Sequence, residues 1–143
     1  MRYQSRKSSC GPASLANALE AVGIERTEDE LAALSKQDAQ GTSPVNLRKA
    51  AEAVGVETVN VSEQRREVAR WCLEYHLHNG HPGLIIVDND DHWVAVIGHL
   101  NGTYIVADSA DNDLLVFYSI DKLLDRWCSQ NNKFCGFFLI KES

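Results

Sequence analysis

The sequence predicts an α+β domain, with N-terminal helices packed on a C-terminal antiparallel sheet. Up to Gly80, apolar side chains recur mostly at helical spacing, punctuated by Gly and Pro. From Leu84 onward, short β-branched and aromatic runs alternate with turn residues. There is no internal repeat, low-complexity tract or Pro/Ser-rich linker, so residues 1–143 read as one domain.

Each element has its own signal. Cys10-Gly11-Pro12 opens a helix in which Leu15, Leu19 and Val22 share a spacing, and Gly23 ends it. Thr27 and Glu30 make a capping box ahead of Leu31 and Leu34. Ser43-Pro44 starts a third helix, through Leu47 and Ala51 to a stop at Gly55. A short strand from Glu57 to Val61 precedes a helix from Arg66 to Asn79, ended by Gly80. Strands follow at Leu84 to Val87, Trp93 to Gly98, Tyr104 to Ala107, Leu114 to Tyr118 and Phe134 to Ile140. A helix from Ile120 to about Cys128 interrupts the last two, and the helices are expected on one face of the sheet.

Composition narrows the function. Fourteen Lys plus Arg against twenty Asp plus Glu give a net charge of −6, which opposes nucleic acid as a partner. The longest apolar runs, such as Gly83 to Val87, are too short to span a bilayer. Only nine residues precede Cys10, too few for a signal peptide, so a cytoplasmic location with free thiols is expected. The cysteines, at 10, 72, 128 and 135, form no C-x-x-C and no zinc-ligand spacing. Cys72, Cys128 and Cys135 read as small buried hydrophobes, with a bridge between the last two left open. His76, His78 and His81 lack an acidic or cysteine partner at ligand spacing and read as a solvated helix end. Asp88, Asp90 and Asp91 begin like a calcium loop, but Trp93 stands where that loop needs glycine. They read as an acidic turn, and neither metal nor cofactor is expected.

Three residues carry potential chemistry. Cys10, in the first turn of a helix, would face unpaired N–H groups and the positive end of the helix dipole, which favour thiolate. His92 starts an apolar strand, at a sheet rim where an imidazole can meet a group on a facing helix. Asp108 ends the next strand, where it could orient that imidazole. Taken singly, each has a plain alternative: a buried cysteine, a strand-end histidine, a turn aspartate.

Strand register tests the His92–Asp108 pair. A two-residue loop at Asn101-Gly102 would set Asp108 opposite Ala95 and put it on the other face from His92. A three-residue loop with left-handed Gly102 sets Asp108 opposite Val94, with His92 as its diagonal neighbour on the same face. The pair requires this shifted register or an equivalent bulge, and the three-residue loop is the expectation.

Together these residues resemble the bacteriocin-processing peptidases, papain-like enzymes that remove leader peptides. The resemblance rests on Gln4, on Cys10-Gly11-Pro12-Ala13-Ser14-Leu15, on His92-Trp93-Val94-Ala95-Val96 and on Asp108, in that order. Gly80-His81-Pro82-Gly83-Leu84-Ile85-Ile86-Val87 is similar to the strand preceding the histidine strand in that family. It implies a papain-like cysteine protease fold and a cysteine peptidase acting on a peptide or protein. In that reading Cys10 is nucleophile, His92 general base and Asp108 its orienting carboxylate, while Gln4 and the Cys10 N–H form an oxyanion hole. Ser109 stands where the family commonly has proline, and Ser9 where it has an acidic or amide residue, neither expected to touch a catalytic atom. An acyl transferase would use the same residues, and a catalytically silent binding module would keep the same fold.

Overall fold

The computed structural model describes residues 3–4, 10–36, 43–88, 92–110, 114–129 and 131–141. Three helices come first: α1 (Cys10–Ala21), α2 (Glu28–Leu34) and α3 (Pro44–Ala53). Then follow β1 (Glu57–Glu63), α4 (Arg66–His78), β2 (Gly83–Val87), β3 (His92–Leu100), β4 (Thr103–Ala107), β5 (Leu115–Ser119), α5 (Ile120–Trp127) and β6 (Phe134–Ile140). The strands form an antiparallel sheet in the order β1-β6-β2-β3-β4-β5. The α+β class is as expected. The capping signals act as read: Thr27 and Glu30 close a reciprocal box on α2, and Ser43 Oγ accepts from the Asn46 N–H at 3.2 Å ahead of α3. Ser119 caps α5 in the same way.

The helices cover both faces of the sheet, and not one face as expected. Helices α1, α2 and α3 bury Leu15, Leu19, Leu31 and Leu47 against Leu84, Trp93, Ala95, Phe137 and Leu139. Helices α4 and α5 bury Leu73, Leu77, Leu123 and Trp127 against Ile85, Val94, Val96, Val106 and Phe138. Successive strand residues therefore enter opposite cores, and this is why β2, β3 and β6 are continuous apolar runs without polar alternation. Gly136 makes the close packing of β6 on β2 possible, since a Cβ there would collide with the Leu84 carbonyl and lie 3.0 Å from Ile85 Cα.

Helix α1 is the most enclosed, with every residue from Gly11 to Leu19 buried. Its small side chains let the backbone approach β3 closely, and the buried Ser14 hydroxyl donates to the Trp93 carbonyl at 2.9 Å. That bond fixes the height of α1 on the sheet, and with it the position of Cys10 one turn earlier.

The β3–β4 hairpin departs from expectation in an instructive way. Its loop has two residues, Asn101 and Gly102, both at positive φ (53° and 77°), in the geometry of the turn that best matches strand twist. Leu100 pairs with Thr103, His99 with Tyr104 and Gly98 with Ile105, but the next pair is Val96 with Val106. Ile97 is the extra residue of a bulge. The one-residue shift arises within the strand instead of at the loop, and continuing the pairing from Ala95–Ala107 brings Asp108 level with Val94.

Cys72, Cys128 and Cys135 are free thiols and only half-buried. His76 does not lie in solvent: it is buried, stacks on Phe138 at 4.3 Å, and its Nδ1 lies 3.0 Å from His81 Nδ1. Asp90, Asp91, Ser8 and Ser9 lie outside the described residues.

Candidate active site

Three elements deliver the site to one rim of the sheet. Cys10 is the first residue of α1, where the N–H groups of the opening turn have no intrahelical acceptor. Pro12 removes an N–H that would have none either. His92 opens β3, paired with Val87 at the end of β2. Asp108 follows the last residue of β4, and its N–H donates to the Leu114 carbonyl at 2.8 Å.

His92 Nε2 lies 2.6 Å from Asp108 Oδ1, which also accepts from the Ala110 N–H at 3.2 Å. With Nε2 on Asp108, the ring nitrogen left for the Cys10 side is Nδ1, and the imidazole acts on the thiol to lower its pKa. The backbone groups of Trp93 and Gly11 also favour the thiolate. The Asp108 side chain is 3% exposed and that of His92 14%, so little water competes for these contacts.

The electrostatics follow from the geometry. Burial pushes the Cys10 thiol up, but the His92 hydrogen bond, the Trp93 and Gly11 backbone groups and the imidazole charge outweigh it and bring the thiol below its ordinary 9.0. Burial disfavours the His92 imidazolium, yet Asp108 and then Cys10 raise it from 6.5 to about 9. Burial would raise Asp108, but the His92 hydrogen bond and charge, the Ala110 N–H and Arg126 hold it lowered from 3.8 to about 2. Relative to the free side chains, these directions favour thiolate, imidazolium and carboxylate in a row.

Gln4 lies beside this row through Ser109. The Gln4 N–H donates to the Ser109 carbonyl at 3.1 Å, and the Ser109 hydroxyl donates to Gln4 Oε1 at 2.8 Å. With its oxygen held by the hydroxyl, the amide turns its NH2 end away from Ser109. Ser109 is buried and its hydroxyl holds the Gln4 amide oxygen, a contact that the sequence reading of this serine-for-proline substitution did not include. The substitution itself was the signal, since a proline has no hydroxyl to give.

Other residues at the site carried no sequence signal as such. Arg126, from the last turn of α5, reaches Asp108 Oδ2 at 2.9 Å and grips Asp88 through Nε (3.2 Å) and Nη2 (3.0 Å). Its Nη1 donates to the Tyr118 hydroxyl at 3.0 Å. Asp88, read as part of an acidic turn, is thus an anchor for this arginine. Among the described residues, no group of three or more His, Cys, Asp or Glu could hold a metal ion.

The fold and this rim define the class: an α+β protein carrying a thiol at a helix N-terminus, backed by an imidazole and a carboxylate. The Peptidase C39 family model matches residues 1–129, and the chain belongs to that family. It is 39% identical over 67 residues to an uncharacterized protein of Methanothermobacter thermautotrophicus, a match covering 47% of this chain and 47% of that relative, so the match spans about half of each. The fold is that of the peptidase domain of Streptococcus ComA, a bifunctional ABC transporter involved in a quorum-sensing pathway (TM-score 0.76, 23% identity, 99% of this chain and 97% of that one). It is also that of a double-glycine-motif protease from an AMS/PCAT transporter, solved with its leader peptide (TM-score 0.69, 20% identity, 96% and 86%). No helix among the described residues is long and apolar enough to cross a membrane.

Proposed function

We propose that the chain is a cysteine peptidase that cleaves a peptide bond through an acyl-enzyme on Cys10. The observation that carries this reading is the His92 imidazole, 2.6 Å from Asp108 at the rim where Cys10 opens α1, and electrostatically coupled to that thiol. The Cys10 thiolate attacks the peptide carbonyl carbon, forming the C–S bond while the carbonyl π pair moves to oxygen. The Cys10 N–H and the Gln4 side-chain NH2 donate to that oxyanion. His92 then gives its Nδ1 proton to the leaving nitrogen as the C–N bond breaks, and the amine departs. Water attacks the thioester, His92 takes its proton, and loss of the C–S bond restores thiolate and imidazolium. Asp108 holds Nε2–H throughout, so that Nδ1 stays toward sulfur and reacting atoms. A peptide substrate accords with the leader peptide held by the double-glycine-motif relative.

Intact mass after exposure to a thiol-reactive peptide probe tests the reading. Wild type should gain one adduct and Cys10→Ala none, and iodoacetamide should alkylate Cys10 well below pH 8, ahead of Cys72, Cys128 and Cys135. Equal labelling of all four thiols, rising only around the ordinary thiol value of 9.0, would refute it.

A further inference from the structure

Resting on the peptidase reading above, we propose that Arg126 is a positioning residue: with Asp88 it clamps together the segments that deliver His92 and Asp108. The geometry is that of a hub. Asp88 directly follows β2 and precedes His92 by four residues, so its carboxylate marks the start of the connection that brings His92 to the rim. Asp108 marks the end of β4, and Tyr118 lies on β5. One guanidinium from α5 engages all three through Nε, Nη1 and Nη2. Because it takes Asp108 Oδ2, the carboxylate cannot rotate, and Oδ1 remains on the imidazole at 2.6 Å.

Anchorage of α5 is not a sufficient explanation. That helix already buries Leu123, Leu124 and Trp127, the indole donates to the Cys135 carbonyl at 2.8 Å, and Arg66 reaches Asp125 at 2.7 Å from α4. Arg126 turns instead toward the rim, its side chain 20% exposed, where the charges alternate from Cys10 through His92, Asp108 and Arg126 to Asp88. Each cation thereby lies between two anions. A lysine could match the charge but could not span two carboxylates and a phenol with one nitrogen.

The test is the pH–rate profile of Cys10 alkylation by iodoacetamide, read by intact mass on the full chain. Arg126→Met should lower the plateau rate by about tenfold or more, as expected when reacting groups lose their alignment. It should also move both limbs to higher pH by roughly half to one unit, since removing a positive charge makes Cys10 and His92 harder to deprotonate. Arg126→Lys should keep the limbs near wild type while the plateau still falls. Asp88→Asn keeps the cation on Asp108, so it tests the clamp even where Arg126→Met fails to fold; its plateau should fall without either limb rising. Arg66→Met, which removes exposed contacts of α5 with Asp121 and Asp125 away from the rim, should match wild type. Coincident limbs for Arg126→Met and wild type, an undiminished Asp88→Asn plateau, or an Arg66→Met profile displaced like that of Arg126→Met would each overturn the clamp alone. A wild-type Cys10 no more reactive than Cys72 would refute the peptidase reading itself, and the clamp with it.

Discussion

Replacing Cys10 with alanine should change how stability depends on pH, and the sign can be worked from the two linked groups. His92 rises from 6.5 to about 9 on folding, so its contribution is complete below pH 6.5 and is lost as pH rises through about 9. Cys10 moves the other way, below its ordinary 9.0, so its contribution is complete above pH 9.0 and is lost as pH falls through the folded thiol's value. Where both apply, the native pair and the unfolded chain each hold one proton, and the opposed slopes cancel. Wild type should therefore show a nearly flat contribution from this pair between the folded thiol's value and about pH 9. Cys10→Ala keeps only the falling limb, with a slope of up to about 1.36 kcal/mol per pH unit. Over that window the two proteins should diverge at up to that slope, and less steeply because the thiolate itself helps to raise His92. Urea unfolding followed by tryptophan fluorescence, under reducing conditions at closely spaced pH values, measures the difference, since all other titrations are common to both proteins. The pH at which the profiles part reports the folded thiol's own pKa. Parallel profiles would mean a thiol that titrates alike in the folded and unfolded chain, and the ion-pair reasoning would be refuted.

Asp108→Asn should cut peptidase turnover by about 10³–10⁴-fold, because the amide can hold the wrong imidazole tautomer; steady-state kinetics with a cleavable peptide would show it, and near-native turnover would contradict the assigned role. Gln4→Ala should cut turnover by about 10²–10³-fold while leaving iodoacetamide alkylation of Cys10 nearly unchanged, since alkylation develops no oxyanion. A parallel loss in both assays would place Gln4 outside the oxyanion hole. Gly136→Ala should destabilise the protein by about 1–3 kcal/mol or more in urea unfolding, because the added Cβ meets the Leu84 carbonyl on the paired strand, and an unchanged midpoint would refute that packing.

What the sequence made legible was local. Helix starts at Cys10, Thr27 and Ser43 and the strand runs from Leu84 onward were readable because caps, prolines and apolar spacing act over a few residues. The two-sided burial of the sheet was also written there, in the unbroken runs Leu84 to Val87 and Phe137 to Ile140, but the segregation of helices and strands along the chain suggested one covered face instead. The bulge at Ile97 had no local mark: Asn101-Gly102 specifies a two-residue turn, and only the juxtaposition of His92 with Asp108 demands an extra residue somewhere in β3. Ser14, Ser109 and Arg126 were illegible for a related reason. Ser14 and Ser109 reach partners 79 and 105 residues away and Arg126 reaches Asp88 38 residues away, and a serine or arginine has no spacing rule that names a distant acceptor.

The bulge and the Arg126 contacts bear on one requirement from opposite sides. An extended strand offers an imidazole and a carboxylate only discrete relative positions, one residue apart and on alternating faces. Ile97 selects the position that brings Asp108 to the His92 side, a step that a shift of pairing can make and a rotamer change cannot. Within that position, the carboxylate still has to present one oxygen to Nε2, and here Arg126 on Oδ2 and the Ala110 N–H on Oδ1 leave little freedom. The order of charges then limits the cost of burial. Asp108 is almost wholly enclosed, and an enclosed carboxylate facing a neutral imidazole would favour its own protonation; between His92 and Arg126 it stays ionised, with its pKa held at about 2. An ionised Asp108 in turn favours the imidazolium, and the imidazolium favours the thiolate at the positive end of α1. On the proposed reading, the reactivity of Cys10 is set by contacts that reach it through two intermediate side chains, which is why a substitution on α5 should be read in the pH dependence of a sulfur on α1.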